Sequence, residues 1–102
     1  MTYAAPGAAG AKIAYKPHYD NFIGGQWVAP VKGQYFDVVT PTSGKVYTKA
    51  ARSTAEDIEL ALDAAHKAKA GWGKMSMTER AKILNKIADR MEANLDVIAL
   101  VE

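Results

Sequence analysis

A change of rhythm at Arg52 constrains this chain more than any other feature. Before it, short β-branched and aromatic runs alternate with Gly and Pro turns. After it, apolar residues recur at helical spacing behind two Ser-x-x-Glu boxes. No stretch can serve periods of 2 and 3.6 together, so the order predicts a β part followed by a helical part. In the first part, Asn21-Phe22-Ile23 and Gln26-Trp27-Val28 flank Gly24-Gly25, whose glycines supply the positive φ a tight hairpin needs. Gln34 to Thr40 reads as a third, stronger strand. Pro41-Thr42-Ser43-Gly44 is turn chemistry, and Lys45 to Lys49 returns with Val46 and Thr48 on one face and Tyr47 on the other. Two hairpins over 21–49 are expected.

In the second part, Ser53-Thr54-Ala55-Glu56 reads as a capping box. Ile58, Ala61, Leu62, Ala65 and Trp72 follow as one stripe, and Gly71 reads as the stop. Ser76-Met77-Thr78-Glu79 opens another helix, with Leu84, Ile87, Ala88, Met91, Leu95 and Ile98 on its inner face. Asn94 either caps a fresh start or sits within a continuing helix. The expectation is an antiparallel helix pair, about 54–70 and 77–102, joined by Gly71 to Met75.

Composition limits what these elements can bury. Nineteen of the apolar residues are Ala, and only twenty positions are Leu, Ile, Val or Phe. That is a thin supply for a core. The helical rhythm also runs to Glu102 with no closing Gly, Asn or Pro, which predicts a sequence that continues. The charge is +2, from 13 Lys/Arg against 11 Asp/Glu, and gives no electrostatic case for nucleic acid or a membrane surface. Residues 1–14 are Ala/Gly-rich, without a basic start or an early Arg, and read as a flexible leader on a cytoplasmic protein. There is no cysteine, so disulfides, thiolate metal sites and thiol nucleophiles are excluded within these residues.

Other candidate chemistry reads as structure. Gly71-Trp72-Gly73-Lys74-Met75-Ser76 has glycines and a lysine, but its spacing is not that of a phosphate loop and a helix precedes it. Of the clustered carboxylates, Glu56, Asp57 and Glu59 suit the positive end of a helix dipole, and Asp63 is spaced from Lys67 for a surface pair. His66 reads as a surface imidazole, and Trp27 and Trp72 as core anchors. No group forms a catalytic set.

The order of features nevertheless resembles one family. The run from Tyr19 through Phe22-Ile23-Gly24-Gly25-Gln26-Trp27, then Val38-Val39-Thr40-Pro41-Thr42-Ser43-Gly44, is similar to the opening of NAD(P)-dependent aldehyde dehydrogenases. The capped helix, Trp72, and Glu79-Arg80-Ala81-Lys82-Ile83-Leu84-Asn85-Lys86-Ile87-Ala88 extend the likeness to Glu102, and the detail looks like the bacterial acetaldehyde and aliphatic-aldehyde branch. The resemblance implies an α/β enzyme with a Rossmann-like cofactor domain, of which residues 15–102 would be the leading, incomplete part. It implies NAD or NADP as cofactor, an aldehyde as substrate and a homo-oligomer. It also implies a Cys thiolate that forms a thiohemiacetal, and a Glu-activated water that hydrolyses the resulting thioester. No catalytic or cofactor-binding residue of that scheme falls in this chain, which on its own is expected to be inactive. In many members backbone carbonyls just before the turn proline help hold a monovalent cation. The matching positions are Val38 and Val39; Thr40 stands where many members have Asn. The competing expectation is a free-standing, non-enzymatic interaction module.

Overall fold

The computed structural model describes residues 4–102. In chain order the elements are β1 (Asn21–Ile23), β2 (Gln26–Val28), β3 (Tyr35–Val39), β4 (Val46–Ala51), α1 (Ala55–Lys74), α2 (Met77–Ala93) and α3 (Leu95–Val101). The two expected hairpins are present, and the helical part has three helices in place of two. The chain divides into two units, one up to Lys67 and the other from Ala68 onward.

In the first unit, β1 and β2 pair antiparallel with Phe22 opposite Trp27, and Gly24 and Gly25 have φ of +62° and +82°. Both values fit the primed hairpin turn, whose twist matches that of the flanking strands. β3 and β4 also pair antiparallel, but a bulge interrupts them: Val38 faces Thr48 while Val39 faces Val46, leaving Tyr47 as the extra residue. Cross-strand partners share a face and neighbours alternate. The bulge therefore puts Val46 and Thr48 on opposite faces, against the expected alternation; Thr48 is buried and Val46 is exposed. The free edge of β4 is covered rather than bare. The Tyr19 N–H donates to the Lys49 carbonyl (2.9 Å), the Ala51 N–H donates to the Tyr19 carbonyl (3.1 Å), and the Thr48 hydroxyl donates to the Lys16 carbonyl (2.7 Å). Of the expected leader, residues 1–3 lie outside the described residues. The rest holds turn hydrogen bonds, among them Ala8 N–H to the Ala5 carbonyl at 3.0 Å.

The first helix differs from expectation at both ends. It begins one residue later than the Ser53 box would place it, because Thr54 supplies the first helical carbonyl, accepting from the Ile58 N–H at 3.2 Å. It runs through Gly71 and Gly73 to Lys74. A glycine stops a helix by turning left-handed, and neither of these has a positive φ. Each instead stays helical at roughly 1 kcal/mol.

Of the second unit's helices, α2 opens on the box expected at Ser76. The Glu79 N–H donates to the Ser76 hydroxyl (3.2 Å), and the Ser76 N–H donates to the Glu79 carboxylate (3.1 Å). Asn94 breaks the expected 77–102 helix. Its side-chain amide donates to the Arg90 carbonyl (2.8 Å), closing α2, and makes no side-chain bond at the start of α3.

No Ala, Val, Ile, Leu, Met, Phe, Tyr or Trp is buried among the described residues; the buried ones are Pro30, Thr48 and Asp57. The apolar stripes expected to face inward, Ile58 and Leu62 on α1 and Leu84, Ile87 and Met91 on α2, are exposed.

Candidate functional site

The β3–β4 turn carries the one position where the resemblance assigns a role. The bulge falls between Val38 and Val39, the two residues whose carbonyls match the family's cation site. Past it, the Thr40 N–H donates to the Lys45 carbonyl (3.0 Å) and the Gly44 N–H to the Thr40 carbonyl (2.9 Å), tying the turn. A bulge interrupts the ladder and leaves its extra residue unpaired, which here is Tyr47 on β4; Val38 and Val39 keep Thr48 and Val46 as partners. Carbonyls are hard donors suited to a hard cation, but such ions take six or more oxygens. Two residues supply part of a shell. The nearby Asp37 carboxylate lies 3.8 Å from the Lys49 ammonium.

A second site escaped the sequence reading. Asp57, expected among solvated helix-start acids, is buried, with 3% of its surface exposed. Its Oδ1 accepts from the Val31 N–H (2.9 Å), and its Oδ2 from the Thr54 N–H (2.8 Å) and the Thr54 hydroxyl (3.4 Å). These donors, the Thr54 amide first and the Val31 amide next, hold its carboxyl below the usual carboxylate range against the opposing effect of burial. One side chain thus fastens the β2–β3 connection to the start of α1. The signal was present in sequence as Thr54-Ala55-Glu56-Asp57, a second box overlapping the first. Ser53 is not a cap: its hydroxyl donates to Asn21 Oδ1 (3.1 Å) and accepts from Asn21 Nδ2 (2.9 Å).

The remaining candidates separate. Gly71 and Gly73 lie inside α1, so their amides form no phosphate cradle. Asp57 turns inward while Glu56, Glu59 and Asp63 are exposed. Among the described residues Asp63 and Lys67 close no ion pair, and no three or more His, Asp or Glu side chains gather as a metal site. His66 is exposed as expected. Trp27 and Trp72 are not core anchors within these residues, at 59% and 41% exposure. Trp27 instead meets Phe22 across the hairpin, with centroids 5.2 Å apart, and the Lys16 ammonium lies 5.4 Å from the Trp27 ring.

One polar cluster remains. Tyr35 donates its hydroxyl to Asp20 Oδ1 at 2.5 Å, and His18 Nε2 stands 3.7 Å from the same oxygen. That hydrogen bond pushes the Tyr35 phenol up, because ionisation would break it; burial adds a smaller push in the same direction. The His18 ring meets the Tyr35 ring edge-on, with centroids 4.9 Å apart. The cluster fastens residues 18–20 to β3. Its one hydroxyl, on Tyr35, is engaged by the Asp20 carboxylate. No helix among the described residues is long and apolar enough to cross a membrane.

Comparison with known proteins places the segment. The sequence pattern described as the aldehyde dehydrogenase family matches residues 27–102. An aldehyde dehydrogenase of Deinococcus radiodurans is 65% identical over 100 residues, which is 98% of this chain and 19% of that protein. A long-chain-aldehyde dehydrogenase of Acinetobacter is 62% identical over 102 residues, 100% of this chain and 20% of its own length. An acetaldehyde dehydrogenase of Pseudomonas aeruginosa is 55% identical over the same span and share. Among solved structures, an NAD-dependent aldehyde dehydrogenase from Sinorhizobium meliloti superposes with a TM-score of 0.78 at 29% identity, covering 97% of this chain and 20% of that one. PnpE, solved in complex with nicotinamide adenine dinucleotide, superposes with 0.72 at 37% identity, covering 74% of this chain and 16% of its own. The chain spans about a fifth of the length of the curated relatives it matches.

Proposed function

The chain belongs to the aldehyde dehydrogenase family, and from that premise we propose that it is the leading scaffold of a full-length NAD(P)-dependent enzyme that oxidises aliphatic aldehydes, acetaldehyde among them, to carboxylic acids. The observation that carries this reading is identity of 55–65% to named aldehyde dehydrogenases across nearly all of these residues. The reaction's nucleophile comes from elsewhere in the polypeptide, because no thiol is present here. The cofactor's phosphates do not fit this segment either, since its Gly71–Ser76 run is not a loop of free amides. The contribution of these residues is positional: Asp57 sets the hairpins against the helix that leads onward. A homo-oligomer in the cytoplasm completes the reading.

Substrate length is decided outside this stretch. Relatives named for long-chain aldehydes and for acetaldehyde match it over its whole length at 62% and 55% identity. The decisive experiment is turnover of the full-length polypeptide with acetaldehyde and longer aliphatic aldehydes, with NAD and NADP, followed by nicotinamide absorbance. Aldehyde-dependent reduction is expected from the full-length protein and none from the 102-residue chain. A full-length protein inert to every aldehyde would overturn the proposal.

The carbonyls of Val38 and Val39 are part of the same proposal, as partial ligands of a monovalent cation; their place just before the turn at Pro41, as in the family they resemble, supports the role. Exchanging potassium for choline at constant ionic strength should lower the melting temperature of the full-length enzyme. An unchanged melt rejects the site.

A further inference from the structure

The last two helices carry a surface that the scaffold role alone does not explain. α2 and α3 border a shallow, open groove of about 400 Å³, lined by Ile83, Ile87, Met91 and Ile98 with Lys86 and Arg90 beside them. Ile87, Met91 and Ile98 are 47%, 58% and 45% exposed. On α2 the apolar row 83-87-91 runs next to a basic row, Lys82, Lys86 and Arg90, each step being one helical turn. None of these three cations closes an ion pair with a carboxylate among the described residues.

We propose that the α2–α3 groove is the docking site of an apolar, carboxylate-bearing segment from the remainder of the full-length polypeptide. This rests on the reading of the chain as part of a longer enzyme. Charge selects the chemistry of the occupant: aliphatic side chains enter against Ile87, Met91 and Ile98, and a carboxylate meets the Lys86–Arg90 pair, where a bidentate contact to the guanidinium is the strongest available. Charge also argues against a second copy, because a twofold pairing of this face brings two copies of the same basic row into one interface. Size selects the source. An independent partner needs on the order of 1,000 Å² of total buried surface for a specific complex, more than a groove for a few side chains supplies. A covalently connected segment needs far less, since tethering raises its effective concentration to about millimolar or above. The matched relatives are about five times the length of this chain, so such a segment has ample sequence to come from. A lipid surface fits less well, because the apolar row lacks the Trp or Phe of interfacial helices.

The test uses the full-length enzyme, with aldehyde turnover measured in parallel. Zero-length carbodiimide cross-linking should join Lys86 to an Asp or Glu beyond residue 102 of the same polypeptide. Lys86 should also react with an acylating reagent at least about tenfold more slowly than the exposed Lys67, as expected for a protected site. Arg90→Glu should lower the melting temperature, and Arg90→Lys should restore part of the loss. The wild-type cross-link stands whether or not the charge reversal folds. Cross-links from Lys86 only to a second copy overturn the proposal. So does an enzyme that turns over aldehyde while Lys86 reacts as fast as Lys67, or one whose groove is protected only when phosphatidylserine vesicles are added. A full-length protein that shows the intramolecular cross-link but no turnover keeps the groove assignment and rejects the enzymatic reading instead.

Discussion

Residues 16–67 and residues 77–102 both leave their apolar side chains exposed, yet they are held by different kinds of bond. In the first region the fastenings are polar and join residues far apart in sequence: Val31 to Asp57, Thr48 to Lys16, Asn21 to Ser53, and Tyr35 to Asp20. In the second they are local. The Ser76–Glu79 box and the Asn94–Arg90 bond each span three or four residues. A helix can close its own backbone bonds, whereas a two-stranded hairpin leaves an edge that something else must satisfy. The β region therefore needs specific long-range partners, and the helical region needs only its ends closed. Removing single bonds in each region tests that difference.

The largest effect is expected at Asp57. Asp57→Ala strips acceptors from the Val31 and Thr54 amides together, so both should exchange as fast as open loop amides, and melting should fall further than for any other variant here. Its folded pKa lies below its unfolded one. The stability it contributes is thus complete above the unfolded carboxylate range and is lost as the pH falls through the folded value. Acid should loosen the β2–β3 connection before it affects α2. Tyr35 works in the opposite direction: its pKa is raised, so its contribution is present below the unfolded value and is lost as the pH rises through the folded one. Retention of protection at Val31 in Asp57→Ala would show that the regions do not differ as described.

The next effect is at Thr48, whose hydroxyl is buried against the Lys16 carbonyl. Thr48→Val keeps the shape and removes the donor, at a cost of about 1–2 kcal/mol if that carbonyl is left without a partner. Protection of the Tyr19 amide, which covers the same edge of β4, should fall with it. If the Tyr19 amide is unaffected, the edge is held by the backbone ladder alone.

Ser76→Ala tests the local region. Loss of the hydroxyl should cost about 1 kcal/mol and fray the first turn of α2, as for other helix caps. Amides of β1 to β4 should be unchanged. Loss of hairpin protection in this variant would mean that the two regions unfold as one.

These contrasts also explain what the sequence disclosed. Gly24-Gly25 and Ser76-x-x-Glu79 could be read directly, because each is a local solution with all its partners within a few residues. The start of α1 could not. Ser53-x-x-Glu56 and Thr54-x-x-Asp57 are overlapping frames, and the choice depends on Asn21 and Val31, which lie more than twenty residues upstream. The bulge at Tyr47 was hidden for a similar reason, since register belongs to two strands and alternation was read from one. Gly71 does not end α1, because glycine permits a stop without enforcing one. At the candidate cation site, composition and periodicity were silent about Val38 and Val39; only resemblance to a family singled them out.

The smallest effect is expected at Ser53, and it decides between the two frames. A true cap at Ser53 would make Ser53→Ala about as costly as Ser76→Ala, near 1 kcal/mol. The observed hydroxyl instead exchanges two hydrogen bonds with the exposed Asn21 side chain, where water can replace it. The expected cost is therefore about 0.5 kcal/mol, the low end for a single side-chain hydrogen bond. Asn21→Ala should cost about the same, and the double variant should cost little more than either alone, because both remove one interaction. Protection of the Ile58 amide should not change in any of the three, since Thr54, not Ser53, supplies its acceptor. A loss near 1 kcal/mol in Ser53→Ala that is additive with Asn21→Ala would restore Ser53 as the cap and remove the tie between the first hairpin and the helix.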